Sequence, residues 1–337
     1  MDRVLLIQLR QVGDALLATP IAHILKSARP DLEVVFLTES PCHHLLAHNP
    51  HIDEVIVTRR KDGVWPTLRT IWQLRRRRFD AVLDFMANPR SAQLAFGSGA
   101  PMRISYPKRG RGRLYTHQVA PTHGYTVTFK KSLLAPLGIE DDWLRPEIFL
   151  TPAEGAWGQR LRRELQHGPR QRVITVDPSH RRATRRWPAD HFGALCLRLA
   201  EELDILPVVL WGPDERPVAE AVVEASRGRA VVAPPTDLRQ SAALIAAADA
   251  HLGNCSAPRH MAVAVETPSF TILGSTSRGW AYPSPLHANV RSGIDCQPCN
   301  KNHCDIGIVC LNEYSPDTAY AAFVAWTRDQ LAWEERP

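Results

Sequence analysis

Four short segments hold residues whose types and spacing could do chemistry. The first is Arg10-Gln11-Val12-Gly13-Asp14, just after an apolar run at 4–8 and at the start of a helical stretch. Gly13 would let the backbone turn tightly and approach a ligand. Asp14 would sit where a carboxylate can take a proton from a hydroxyl, or simply cap the helix in the favourable field of its dipole. The second runs from Asp177-Pro178-Ser179-His180 to Arg185-Arg186-Trp187-Pro188, with Arg181 and Arg182 between. Guanidinium groups near a helix N-terminus suit a phosphate; an exposed basic loop is the plain alternative. The third is Gly253-Asn254-Cys255-Ser256-Ala257-Pro258-Arg259-His260. Its backbone N–H groups at Ser256 and Ala257 can bind an anion at a helix start, while His260 could equally be an internal, satisfied histidine. The fourth is Cys296, Cys299, Cys304 and Cys310, with His303 able to replace one sulfur. Thiolates so spaced suit tetrahedral zinc or iron. Redox pairing and plain free thiols remain open, and stable disulfides are disfavoured in a reducing compartment.

These segments need a frame to bring them together, and the hydrophobic periodicity supplies one. Short buried-type runs at 4–8, 33–38, 55–58 and 81–84 alternate with helical patterns at 14–28 and 67–78. After a Gly-, Pro- and Arg-rich stretch at 107–125, expected as loop, helical periodicity returns at 128–137 and 153–165. A second series follows: strands at 173–176, 206–211, 230–232, 250–253 and 269–273, helices at 188–203, 217–225, 241–248 and 258–265, and a final amphipathic helix at 316–333. Strands alternating with helices predict parallel sheets. Right-handed crossovers put the loops after each strand on one sheet edge. The expectation is an α/β chain with two Rossmann-like domains, 1–167 and 168–337, facing across a cleft and joined near His167-Gly168-Pro169-Arg170.

A length of 337 residues suits two domains. With 44% hydrophobic and 23% charged residues, the composition excludes a disordered, collagen-like or coiled-coil chain. No apolar run approaches the roughly 18 residues of a membrane span, and the N-terminus lacks signal-peptide features, so a cytoplasmic chain is expected. The net charge of +6 is uneven: residues 1–167 carry 24 basic and 16 acidic side chains, the rest 17 and 19. An anionic partner would therefore meet the leading half, unless the surplus is only a solvated, arginine-rich surface. No Gly-x-Gly-x-x-Gly follows the first strand, which argues against a dinucleotide dehydrogenase.

Taken together, the segments resemble glycosyltransferase family 9, the ADP-heptose:lipopolysaccharide heptosyltransferases. The resemblance rests on RVLLIQLRQVGDALLATPIAHILKSARPDLEV, RRWPADHFGALCLRLAEE, LWGPDE, LIAAADAHLGNCSAPRHMAVAVETPSFTILGSTS and the cysteine group, in that order along nearly the whole chain. It implies a GT-B fold and inverting transfer without a catalytic metal. It implies Asp14 as the base and Arg185 as the residue stabilising the leaving diphosphate. It places Gly13, Ser179, Arg186, Glu215, Asn254, Cys255, Ser256, Ala257, His260 and Thr276 around the donor, with Glu215 toward the adenosine ribose. The partners implied are a nucleotide-diphosphate sugar and an anionic glycan or glycolipid acceptor met by Arg10, Arg109, Arg111 and Arg113, with no nucleic acid. Peripheral contact with the inner face of the inner membrane, through residues 75–78 and the same arginines, is a further expectation. A structural zinc or iron at the four cysteines is also implied. Where the family signature has Asp and Gly, this chain has Cys255 and Ala257. A thiol is no substitute for a carboxylate as a strong acceptor. The donor sugar differs, or Asn254 compensates, or activity is weakened. A protein acceptor of the autotransporter type is the other alternative.

Overall fold

The central apolar runs become strands because they are covered on both faces, as parallel strands flanked by crossover helices must be. In the computed structural model, residues 1–59 and 64–333 are described. The leading unit, Met1–Phe149, runs β1 (Arg3–Ile7), α1 (Val12–Leu16), α2 (Thr19–Ala28), β2 (Glu33–Glu39), α3 (His43–Leu46), β3 (Glu54–Thr58), α4 (Val64–Arg76), β4 (Ala81–Asp84), α5 (Pro89–Gly97), β5 (Met102–Ser105), β6 (His117–Gln118) and α6 (Thr126–Lys131). Its sheet has the order β3-β2-β1-β4-β5-β6, and every pairing is parallel. β1 is central, with Val4 to Ile7 fully buried.

The second unit, Leu150–Pro337, runs α7 (Pro152–Leu165), β7 (Arg172–Asp177), α8 (Ala189–Leu203), β8 (Ile205–Val209), α9 (Arg216–Ala225), β9 (Val231–Val232), α10 (Leu238–Ala247), β10 (Ala250–Asn254), α11 (Ala257–Ala264), β11 (Ser269–Ile272), β12 (His287–Val290), α12 (Val309–Asn312) and α13 (Pro316–Leu331). Its order, β12-β11-β10-β7-β8-β9, is again wholly parallel. Trp187 is fully buried in the core of this unit, beside Phe192 and Tyr314. Among the described residues, no helix is long and apolar enough to cross a membrane.

Several expectations change. The single helix at 14–28 is two, because Pro20 starts a new helix at its first turn. The stretch 107–125 is not all loop: it carries a 3₁₀ turn and the edge strand β6. α13 ends at Leu331 rather than at 333. The boundary falls at 149/150 rather than 167/168, because α7 belongs to the second unit. Glu154 of α7 accepts from Arg239 Nη2 at 2.6 Å, and Arg162 donates to Asp249 at 2.7 Å and to the Ala247 carbonyl at 2.6 Å.

Gly158 lets α7 and α10 touch: a Cβ there would collide with the Ala243 carbonyl, whereas Gly155, one turn earlier, has open space. Gly158→Ala is expected to destabilise the protein by about 1–3 kcal/mol through overpacking against backbone. Gly155→Ala is expected to stabilise it by about 0.5–1 kcal/mol through helix propensity. Denaturant midpoints of the two variants check both signs.

Candidate active site

In the leading unit the site is built at the C-terminal end of β1, where loops of a parallel sheet gather. Asp14 is the third residue of α1. The N-cap position belongs to Gln11, whose side chain makes no cap hydrogen bond, so Asp14 is not the cap. Nor does Gly13 make the turn: it lies within the helical turn, and the left-handed residue is Gln11, at φ +65°. Burial pushes the Asp14 carboxyl above its ordinary range, and the nearby charge of Lys130 pulls it partly back.

Lys130, on α6, was not legible as a site residue. It is buried, with only 3% of its surface exposed. Its ammonium donates to Gln8 Oε1 at 2.6 Å and lies 5.1 Å from the Phe85 ring centre. Burial lowers its pKa to about 8, against the pull of Asp14 and Asp84. Gln8 in turn donates to the Arg10 carbonyl at 3.0 Å, so the lysine also fixes the loop that leads to Asp14. Asp84, at the end of β4, accepts from Tyr115 Oη at 2.7 Å and from the Met86 backbone N–H at 2.9 Å; burial raises its pKa. Arg111 is tied to the same loop, donating to the Ala87 carbonyl at 3.1 Å, while Arg109 and Arg113 are exposed.

In the second unit the loops after β7, β10 and β11, three adjacent strands, are laced together. Asn254 accepts from the Trp187 backbone N–H at 3.0 Å and donates to the Pro178 carbonyl at 2.8 Å. It is fully buried. One donor and the acceptor oxygen of its amide are thus engaged in tying the two loops together. The Ser275 N–H donates to the Thr184 carbonyl at 2.8 Å, placing Thr276 next to the loop of Arg185. Ser256 Oγ donates to the Asp177 carboxylate, which also accepts from the Ser179 N–H at 3.2 Å.

Three of the expected donor residues keep a buried polar atom without a hydrogen-bond partner in the protein: Ser179 Oγ, Arg185 Nε and Thr276 Oγ1. Buried polar atoms are rarely left so. Arg186 is exposed. Glu215 accepts from the Gly212 N–H at 3.0 Å, shaping the turn before α9. Cys255 is turned inward, its sulfur 3.1 Å from Nη1 of the buried Arg259. Ala257 is the first residue of α11. His260 is buried, and burial together with Arg259 holds its pKa down to about 3, so the ring is neutral.

The expected metal knuckle is corrected. Cys296, Cys299, Cys304 and Cys310 are free thiols of graded exposure, from exposed Cys296 to buried Cys310. They influence one another: burial first, then the other three sulfurs, push Cys310 up to about 11. Yet among the described residues they do not form a group with ligand atoms within 4.8 Å of one another; His23, His51 and Glu147 do. Cys310 instead packs into the core of the second unit from α12. The donor set as folded does not fit an ion, and no chemical step is assigned to it.

Asp177, which opens the second of the marked segments, carries no role in the sequence reading. Burial raises its pKa from the ordinary 3.8 to about 7. Its protonated form therefore supports the fold. That contribution is complete below 3.8 and fades as pH rises through about 7. Asp177→Asn is expected to abolish this component. The melting-temperature difference, variant minus wild type, should grow in the variant's favour between pH 4 and 8, about the window this pKa shift sets.

The sequence profile of glycosyltransferase family 9 (heptosyltransferase) matches residues 67–309. Lipopolysaccharide heptosyltransferase 3 of Escherichia coli K12 is 30% identical over 285 residues, spanning 80% of this chain and 81% of that protein. Among solved structures, a family 9 glycosyl transferase from Veillonella parvula superposes with a TM-score of 0.86 at 19% identity, covering 98% of this chain and 99% of that one. The ADP-heptose lipopolysaccharide heptosyltransferase II of Escherichia coli does so with a TM-score of 0.79 at 18% identity, covering 98% and 100%. The paired Rossmann-like units are those of the GT-B fold, and the chain belongs to glycosyltransferase family 9, the heptosyltransferases.

Proposed function

We propose that the chain transfers a heptose from ADP-heptose, or a related nucleotide sugar, to a sugar hydroxyl of a lipopolysaccharide inner core, inverting the anomeric carbon. The observation that carries the reading is Asp14: a carboxylate at the end of the central strand, raised by burial and held in range by a buried ammonium. It accepts the acceptor hydroxyl's proton as that oxygen attacks the anomeric carbon. The bond from that carbon to the diphosphate oxygen breaks, and ADP leaves with its electron pair. Arg185 meets the developing phosphate charge with a permanent cation. Ser179, Thr276 and the backbone at Ser256 and Ala257 complete the grip, and Glu215, Arg186, His260 and Cys255 border it. Gly13 and Arg10 flank the acceptor side, with Arg109, Arg111 and Arg113 toward its anionic groups.

Asp14→Asn is expected to lower transfer by about 10²–10⁴-fold, the range of a general base, while ADP affinity stays unchanged. Full turnover in that variant overturns the assignment; ADP binding by the wild type without turnover on any acceptor makes the chain a weakened relative. Lys130→Met removes the charge that lowers the Asp14 pKa, so the acid limb of the kcat/KM profile should move to higher pH. Lys130→Arg should restore it.

We also infer contact with an anionic membrane leaflet through α4. Trp65, Leu68 and Trp72 follow one helical face and are 80%, 48% and 57% exposed, with Phe96 of α5 54% exposed. Arg69, Arg75, Arg76 and Arg78 are exposed on the same helix and the turn after it, and Arg76 lies over the Trp72 ring at 4.4 Å. Tryptophan bordered by arginine suits the headgroup layer, at roughly 1 kcal/mol per basic residue near an anionic surface. Co-sedimentation with phosphatidylglycerol vesicles, and not with phosphatidylcholine ones, is expected, and Trp65→Ser with Trp72→Ser should abolish it without altering the melt.

A further inference from the structure

Away from the sheet edge that carries Asp14, the leading unit holds a second group of ligating side chains. His23 lies on α2, His51 in the loop after α3, and Glu147 three residues before the second unit begins. Their ligand atoms all lie within 4.8 Å of one another. His23 Nδ1 sits 3.2 Å from both Glu147 oxygens, and His51 Nε2 is 3.8 Å from Oε2. In a tetrahedral zinc site with bonds of about 2.05 Å, neighbouring ligand atoms stand about 3.3 Å apart. The His23–Glu147 spacing matches such an edge, and the His51–Glu147 spacing is somewhat longer.

The surroundings fix these groups. Trp143 stacks on His23 with ring centres 4.2 Å apart and planes 3° off parallel, and Phe149 meets His51 edge-on at 5.9 Å. The Glu147 backbone N–H donates to Thr19 Oγ1 at 2.9 Å. Glu147 is nearly buried, while the two imidazoles keep about a fifth of their side-chain surface open, leaving access for an ion and a water. Burial, then His23, then Lys26 hold the His51 pKa below its ordinary value. The Lys26 charge itself is engaged by Asp53 at 2.9 Å.

We propose that His23, His51 and Glu147 bind one divalent transition-metal ion of the zinc type, with water completing the shell. Two imidazoles and a carboxylate are a donor set that such ions favour. The ion would fasten the end of the leading unit to α2 and to the loop carrying His51, and its binding energy would add to the stability of that unit. Nothing in the transfer chemistry depends on it.

The test uses the full chain carrying Cys296→Ser and Cys304→Ser, which removes half of the competing sulfur ligands. Chelator-treated protein is titrated with cobalt(II) chloride. One equivalent should bind, with the weak visible bands of a nitrogen–oxygen site and no near-ultraviolet thiolate-to-cobalt band, and the melting temperature should rise. Adding His51→Ala, at a position about a fifth exposed, should remove both the binding and the rise. Absence of cobalt uptake, uptake that survives His51→Ala, or a thiolate band on the bound ion would each overturn the proposal.

Discussion

The leading unit depends on one buried ammonium. Lys130 is enclosed by protein, yet burial and two carboxylates pull on it in opposite directions. Desolvation favours the neutral amine; Asp14 and Asp84 favour the cation. The same nitrogen is hydrogen-bonded to Gln8, which holds the Arg10 carbonyl. Charge and loop shape are therefore one problem. Asp84 extends the network through Tyr115, through the N–H groups that follow β4, and through Ser105, which donates to its carbonyl at 2.7 Å. Strands β1, β4 and β5 are thus tied, by almost wholly buried polar groups, at the sheet edge from which the loop to Asp14 leaves.

The second unit solves the opposite problem. The loop after β7 holds several guanidinium groups close together, and an added imidazolium would be repelled. Burial and those arginines hold His180 to about 4, and His251 and His260 to about 3. The histidines stay neutral, and the positive charge rests on residues that cannot lose it. Shape is kept by uncharged bonds instead: Asn254 to Trp187 and Pro178, and the Trp187 indole to the Tyr314 carbonyl at 2.8 Å. The tryptophan that marks this segment in the sequence is thus a core anchor that locates the arginines preceding it.

The paired α/β architecture was legible because both central strands are continuous apolar runs between helices of clear periodicity. β5, MRIS, and β12, HANV, were not, since short strands of mixed polarity are specified by their neighbours in the sheet. Asp14, Arg185, Ser179 and Thr276 could be picked out because they sit at strand–helix junctions that a motif marks. Lys130 could not: 116 positions separate it from Asp14, no motif surrounds it, and only folding brings the charges together. Asp177 stands in a marked segment, but the burial that raises its pKa comes only with the fold. The cysteine group misled, because sequence spacing sets which sulfurs are near one another but not whether they converge. His23, His51 and Glu147 show the reverse, a convergence that no spacing foretells.

The allegiance of α7 bears on how the two halves of such proteins can be exchanged. A chimera joined at the Gly168-Pro169 stretch would pair a foreign α7 with this chain's α10. Ala243 would then face whatever residue replaced a glycine, and Arg239 and Asp249 would have to find new counterions. A crossover placed ahead of Thr151 keeps the helix, its capping threonine and both ion pairs in one parent.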